Sequence, residues 1–113
     1  MPYIKEKRRE VLDNHINNCA EIIKSNIGKE FNKESVSNEN LLELCGDMNY
    51  FVSRLFTQIA GDISYSKIAM ITGVLESIKQ EFYRRVASPY EELKIIQNGD
   101  IKEYKKCNNQ NFH

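Results

Sequence analysis

The chain has 113 residues, 41% of them hydrophobic and 28% charged, with sixteen basic side chains balanced by sixteen acidic ones. That length suits one domain with a modest core. A net charge of zero gives no electrostatic case for nucleic acid or for an acidic mimic of it, and leaves little repulsion between copies. No run reaches the ~18 apolar residues of a membrane span, and no signal-peptide core follows the charged start. The three cysteines, Cys19, Cys45 and Cys107, are odd in number and scattered. They read as reduced thiols, two of them buried.

In chain order, residues 1–4 form a short arm and Lys5–Leu12 is a charged segment able to start a helix. Its basic side chains make it either a solvated first turn or an arm for phosphate or a partner. Asp13 is expected to cap a fresh helix through Asn26, with Ile16, Cys19, Ala20, Ile22 and Ile23 facing inward. His15 and Cys19 share a face, but a metal site needs three or four ligands and no further pair is visible. Gly28 can stop this helix. Lys29–Asn40 is polar and reads as a loop. Asn38 can cap the next apolar segment, which begins with Leu41, Leu42, Leu44 and Cys45 and continues through Met48, Phe51, Val52, Leu55, Phe56 and Ile59. Asn38–Ala60 is one helix or two, and the reading favours two pieces meeting at Gly46, with Asp47 as the second cap.

Gly61 closes that segment, and Ser64 is suited to cap the longest helix. Its row is Tyr65, Ile68, Thr72, Leu75, Lys79, Phe82 and Val86, flanked by Ile71, Val74 and Ile78, a helical spacing interrupted once by the Lys79 stem. Gly73 within it costs roughly 1 kcal/mol against Ala, a penalty suggesting close approach by a helix or ligand. Pro89 is expected to stop the helix, because it lacks an N–H and disfavours the α region at Ser88. Ser88-Pro89-Tyr90-Glu91 then reads as a capping box that opens a short helix around a sharp corner. Asn98-Gly99 ends it. The stretches 47–60 and 64–87 are expected to pair antiparallel, with the first helix packed on them. Residues 1–101 make one helical domain, and 102–113 a flexible polar tail. The fold class is all-α, a small helical bundle with a long central helix, a proline corner and a short C-terminal helix.

The opening MPYIKEKRREVLD, then GDMNYFVSRLF, ISYSKIAMITGVLESIKQEFYRRVASPYEELKI and the closing QNGDI resemble a family of small helical proteins encoded by bacteriophages and prophages. The likeness covers the first dozen residues and Gly46–Ile101, and EFYRRVASPYE is its most specific part. It implies a phage accessory gene acting in the bacterial cytoplasm. The family carries no activity to transfer, and the setting suggests counter-defence.

Candidate chemistry gathers near Pro89. Tyr83, Arg84, Arg85 and Tyr90 place two guanidiniums and two phenols near an expected helix N-terminus, a set suited to a phosphate or nucleotide. Glu76 and Lys79 lie on a similar face, and Asn49 and Arg54 offer a comparable set one helix earlier. The structural alternative is ion pairing of the arginines with Glu81, Glu91 or Glu92. No nucleophile–base or carboxylate–metal constellation appears, so an enzyme is not expected, nor a cofactor or metal. The leading expectation is a homo-oligomer that sequesters a small anionic ligand, such as a nucleotide immune signal. The rivals are an inhibitor or adaptor of a host protein, and a nucleic-acid-binding accessory factor. The neutral charge and the lack of a helix-turn-helix pattern weigh against the last.

Overall fold

The computed structural model describes residues 2–26 and 37–108, and the described elements are helical throughout. They are α1 (Glu6–Ser25), α2 (Asn38–Ala60), α3 (Tyr65–Phe82), a π-helical turn (Tyr83–Ala87), α4 (Ser88–Asn98) and α5 (Lys102–Asn108). The all-α class and a long helix opening at Tyr65 are as expected, but the helix runs on past Ala87 to Asn98. The chain divides into two compact units, Met1–Ile71 and Thr72–His113. Gly28 and most of the expected 29–40 loop lie outside the described residues.

In the first unit, α1 does not restart at Asp13. It runs unbroken from Glu6, with Lys5 extended before it and the Arg8 and Arg9 N–H groups both bonded to the Lys5 carbonyl. The reason is the row Leu12, Ile16, Cys19 and Ile23, which keeps one face apolar across Asp13 and favours one helix over two. Arg9 Nε donates to the Ile4 carbonyl at 2.8 Å, tying the N-terminal arm to α1. Helix α2 is likewise one element and not two pieces. Gly46 costs it only about 1 kcal/mol. Leu41, Leu44, Met48, Phe51 and Leu55, spaced alternately three and four apart, run through that position as one row. The cap is Ser37 and not Asn38: its hydroxyl accepts from the Asn40 N–H at 3.3 Å.

Gly61 ends α2 at φ 60°, ψ -129°, with its N–H on the Thr57 carbonyl. That conformation is reserved in practice for glycine. Ser64 caps α3 as expected, accepting from the Lys67 N–H at 3.3 Å. Lys67 Nζ reaches back to the carbonyls of Ala60 and Asp62, both at 2.7 Å. A cation there satisfies carbonyls that the end of α2 leaves without an intrahelical donor and complements its dipole. Within this unit α2 packs against α1. Asn26 Nδ2 joins Asp47 Oδ2 at 2.9 Å, fastening the end of α1 to the middle of α2.

In the second unit the expected corner at Pro89 is absent. Ala87 and Ser88 both stay in the α region, and Ser88 caps nothing through its side chain. The helix instead widens: the Ser88 N–H bonds the Tyr83 carbonyl, five residues back. A single π turn inserts one residue and so relieves the clash of the Pro89 ring with the carbonyl four residues earlier. Gly99 (φ 85°) ends α4 with its N–H on the Ile95 carbonyl at 2.8 Å. The polar tail is not all irregular, since Lys102–Asn108 is helical. Asp100 Oδ1 accepts from the Ile101 N–H at 2.7 Å just before it.

Little of the apolar surface is covered. Ala60 is the one buried hydrophobic residue among those described, while Leu55 is 43% exposed, Phe82 63% and Tyr65 93%. The two cysteines with described side chains depart from the expected burial of two: Cys19 is half-buried and Cys45 exposed. A Cβ added at Gly73 would meet nothing within 4 Å, so no neighbour approaches that glycine among the described residues.

Candidate functional site

The predicted residues fall in both units. Asn49 and Arg54 are in the first, and Glu76, Lys79, Tyr83, Arg84, Arg85 and Tyr90 in the second. Asn49 Oδ1 accepts from the Ser53 hydroxyl at 3.3 Å, and the Arg54 guanidinium lies 6.0 Å from the Tyr50 ring centroid. Arg54 also lines a shallow cleft of about 200 Å³ with Tyr50, Phe51, Leu55 and Gln58.

Around the π turn most of the polar groups are engaged with one another. Arg84 forks onto Glu81, with Nη2 2.6 Å from Oε1 and 3.1 Å from Oε2, and Nε 3.1 Å from Oε1. Arg84 is well exposed and Glu81 less so, at 64% and 20% of their side chains. Such a surface pair contributes about 0–1 kcal/mol, but it occupies the fork that would receive a phosphate. Tyr83 Oη donates to Glu91 Oε2 at 3.0 Å. Glu76 accepts from Gln80 Nε2 at 3.2 Å, and Lys94 Nζ sits 5.5 Å from the Tyr90 ring centroid. Arg85 and Lys79 have no hydrogen bond or ion pair among the described residues. The cluster is not cationic, since Glu76, Glu81, Glu91 and Glu92 balance Lys79, Arg84, Arg85 and Lys94.

The Tyr83–Glu91 bond spans eight residues and depends on the inserted one. In a straight α-helix a residue eight positions on is rotated about 80° away, whereas one extra residue restores a shared face. The Glu91 carboxylate, by accepting this hydrogen bond and by its negative charge, holds the Tyr83 phenol above its ordinary pKa of 10.0, since both effects favour the neutral form. A raised folded value means that the bond's stabilising effect is complete below 10.0 and is lost as pH climbs through the folded pKa. We expect difference absorbance between the protein and Tyr83→Phe to place this phenolate's midpoint above 10.0, and Glu91→Gln to return it there. A midpoint unmoved by Glu91→Gln contradicts the bond.

One concavity lies beyond sequence reasoning. On α1, Leu12, His15, Ile16, Cys19, Ala20 and Ile23 face Phe51 and Leu55 of α2 across a groove of about 390 Å³. The signal is present as two apolar rows on separate helices, but which rows face each other is a tertiary fact. His15 and Cys19 both line it, and no group of three metal-ligating side chains forms among the described residues. In the second unit a cleft of about 340 Å³ lies between α4 and α5, lined by Glu91, Lys94, Ile95, Asp100, Ile101 and Tyr104 among others. It takes in none of the predicted residues. No helix among the described residues is long and apolar enough to cross a membrane.

The chain belongs to the family described as Domain of unknown function (DUF6899), whose model matches residues 1–101. Neither the curated proteins nor the solved structures contain a match to it.

Proposed function

We propose that this chain is a non-catalytic protein-binding module, an inhibitor or adaptor directed at a host protein in a phage or prophage setting. The observation that carries the binding reading is the pairing of two facts in one molecule. The polar groups around the π turn largely satisfy each other, while the apolar rows of α2, α3 and α4 stay exposed. Exposed apolar rows of this extent mark interaction surfaces. A protein partner covers them, whereas a small anion does not. The phage setting is supported by the resemblance of the opening segment and of EFYRRVASPYE.

A specific observation keeps a second reading in view. Arg85 is unpaired among the described residues, so a small anion such as a nucleotide has one free guanidinium beside the π turn. A thermal-shift panel of nucleotides and cyclic nucleotides separates the two. The protein-binding reading expects no saturable shift, and Arg84→Ala is expected to cost no more than ~1 kcal/mol. A saturable rise in melting temperature that Arg85→Ala removes would establish the sequestering reading instead.

A further inference from the structure

We infer that the corner between α2 and α3 is a joint locked by one positive charge, the Lys67 ammonium, and that removing this charge frees the corner while both helices persist. The inference is independent of the protein-binding reading. Every group it uses lies within residues 57–68 of the first unit. The corner brings two helix ends together over residues 61–64. The end of α2 presents carbonyls without intrahelical donors, and the start of α3 presents N–H groups without intrahelical acceptors. At the start of α3, Ser64 Oγ accepts from the Lys67 N–H at 3.3 Å, and the Ser64 carbonyl accepts from the Ile68 N–H at 3.0 Å. At the end of α2, the Ala60 and Asp62 carbonyls each accept from Lys67 Nζ at 2.7 Å. One residue therefore closes α3 through its backbone and α2 through its side chain.

The geometry says why the charge matters. The Gly61 N–H stays with α2, on the Thr57 carbonyl, and the Ile68 N–H stays with α3, so neither bond crosses the corner. The two Lys67 ammonium bonds do cross it. The N–H groups of Asp62 and Ile63 have no partner among the described residues. Bonds from a charged donor are roughly twice as strong as neutral ones. The last turn of α2 holds no basic residue of its own, so the Lys67 ammonium is also the cation that meets the negative end of its dipole. Lysine suits the place, being a compact charge with rotatable donors on a flexible stem. Carbonyls seven and five residues back can therefore share it. A neutral side chain of the same length offers them nothing. The joint is for the same reason sensitive to acylation of Lys67 Nζ, which removes the charge.

Amide hydrogen exchange read residue by residue tests the lock. The parent is the full chain with Cys19→Ser, Cys45→Ser and Cys107→Ser. It is compared with Lys67→Met, and with Lys67→Cys before and after alkylation by bromoethylamine, which rebuilds an ammonium on a side chain of lysine length. Lys79→Met is the control, since Lys79 has no hydrogen bond or ion pair among the described residues. The inference expects the Gly61, Lys67 and Ile68 amides to exchange about tenfold faster in Lys67→Met, by local opening, with amides in the middle of α2 and α3 unchanged. Lys67→Cys is expected to behave likewise until alkylation restores the parent rates. Unchanged exchange in Lys67→Met would overturn the inference. So would faster exchange throughout both helices, or faster exchange that alkylation does not reverse. The unaltered chain supplies a second measure that needs no variant. Under trace acetylation with acetic anhydride, Lys67 Nζ is expected to react about tenfold more slowly than Lys79 Nζ in the folded protein and equally in denaturant. Equal rates in the folded protein would overturn the inference too.

Discussion

Leu55→Asp is expected to weaken the pairing of α1 with α2 and to lower the melting temperature. Leu55 lines the α1–α2 groove and is 43% exposed. The carboxylate would stand beside Leu12, Ile16, Ile23 and Phe51, and a polar group set among apolar side chains without a hydrogen-bond partner costs about 1–3 kcal/mol. A melting curve checks this. An unchanged melting temperature in Leu55→Asp would show that the groove is solvent-facing in the working protein.

Pro89→Ala is expected to close the π turn and raise stability. Proline inside a helix costs ~3 kcal/mol or more through the missing N–H and the clash with the preceding turn. The π turn at Tyr83–Ala87 accommodates that ring, with the Ser88 N–H on the Tyr83 carbonyl. With alanine the ordinary ladder can re-form, and a gain of about 1–3 kcal/mol is expected from the denaturant midpoint at unchanged slope. Closing the turn also removes the inserted residue and swings Glu91 about 100° around the axis from Tyr83. The Tyr83 phenol is therefore expected to return to its ordinary 10.0 in the same variant. A loss of stability, or a phenol that keeps its raised pKa, would show that something other than the proline sets the π turn.

These two variants bracket what the sequence could disclose. Helix existence is legible, because the apolar rows and the stops at Gly61 and Gly99 are local signals. Both glycines take positive φ at the ends expected of them, and Ser64 caps where its hydroxyl suggests. Local signals overstate breaks within helices. Asp13, Gly46 and Pro89 each signal a break, Asp13 as the cap of a fresh helix, and at each the helix runs through. A capping residue or a glycine is worth about 1 kcal/mol, less than a continuous apolar face contributes once covered. At Pro89 the penalty is larger, and the backbone answers by widening rather than ending.

The site is less legible for a related reason. Tyr83, Arg84 and Arg85 are adjacent in sequence, which says nothing of what each will bond. The Arg84 fork goes to Glu81, one turn back, and Tyr83 reaches Glu91 only because of an insertion that no propensity announces. Residue type alone groups Asn49 and Arg54 with them. The α1–α2 groove is out of reach, since it needs the facing of Ile16 and Cys19 against Phe51 and Leu55. Gly73 points the same way: its cost in the helix has no return among the described residues.

The thermal-shift panel of nucleotides and cyclic nucleotides tests the central claim most directly. The protein-binding reading predicts a melting temperature that none of them moves. A saturable rise that Arg85→Ala removes would contradict it.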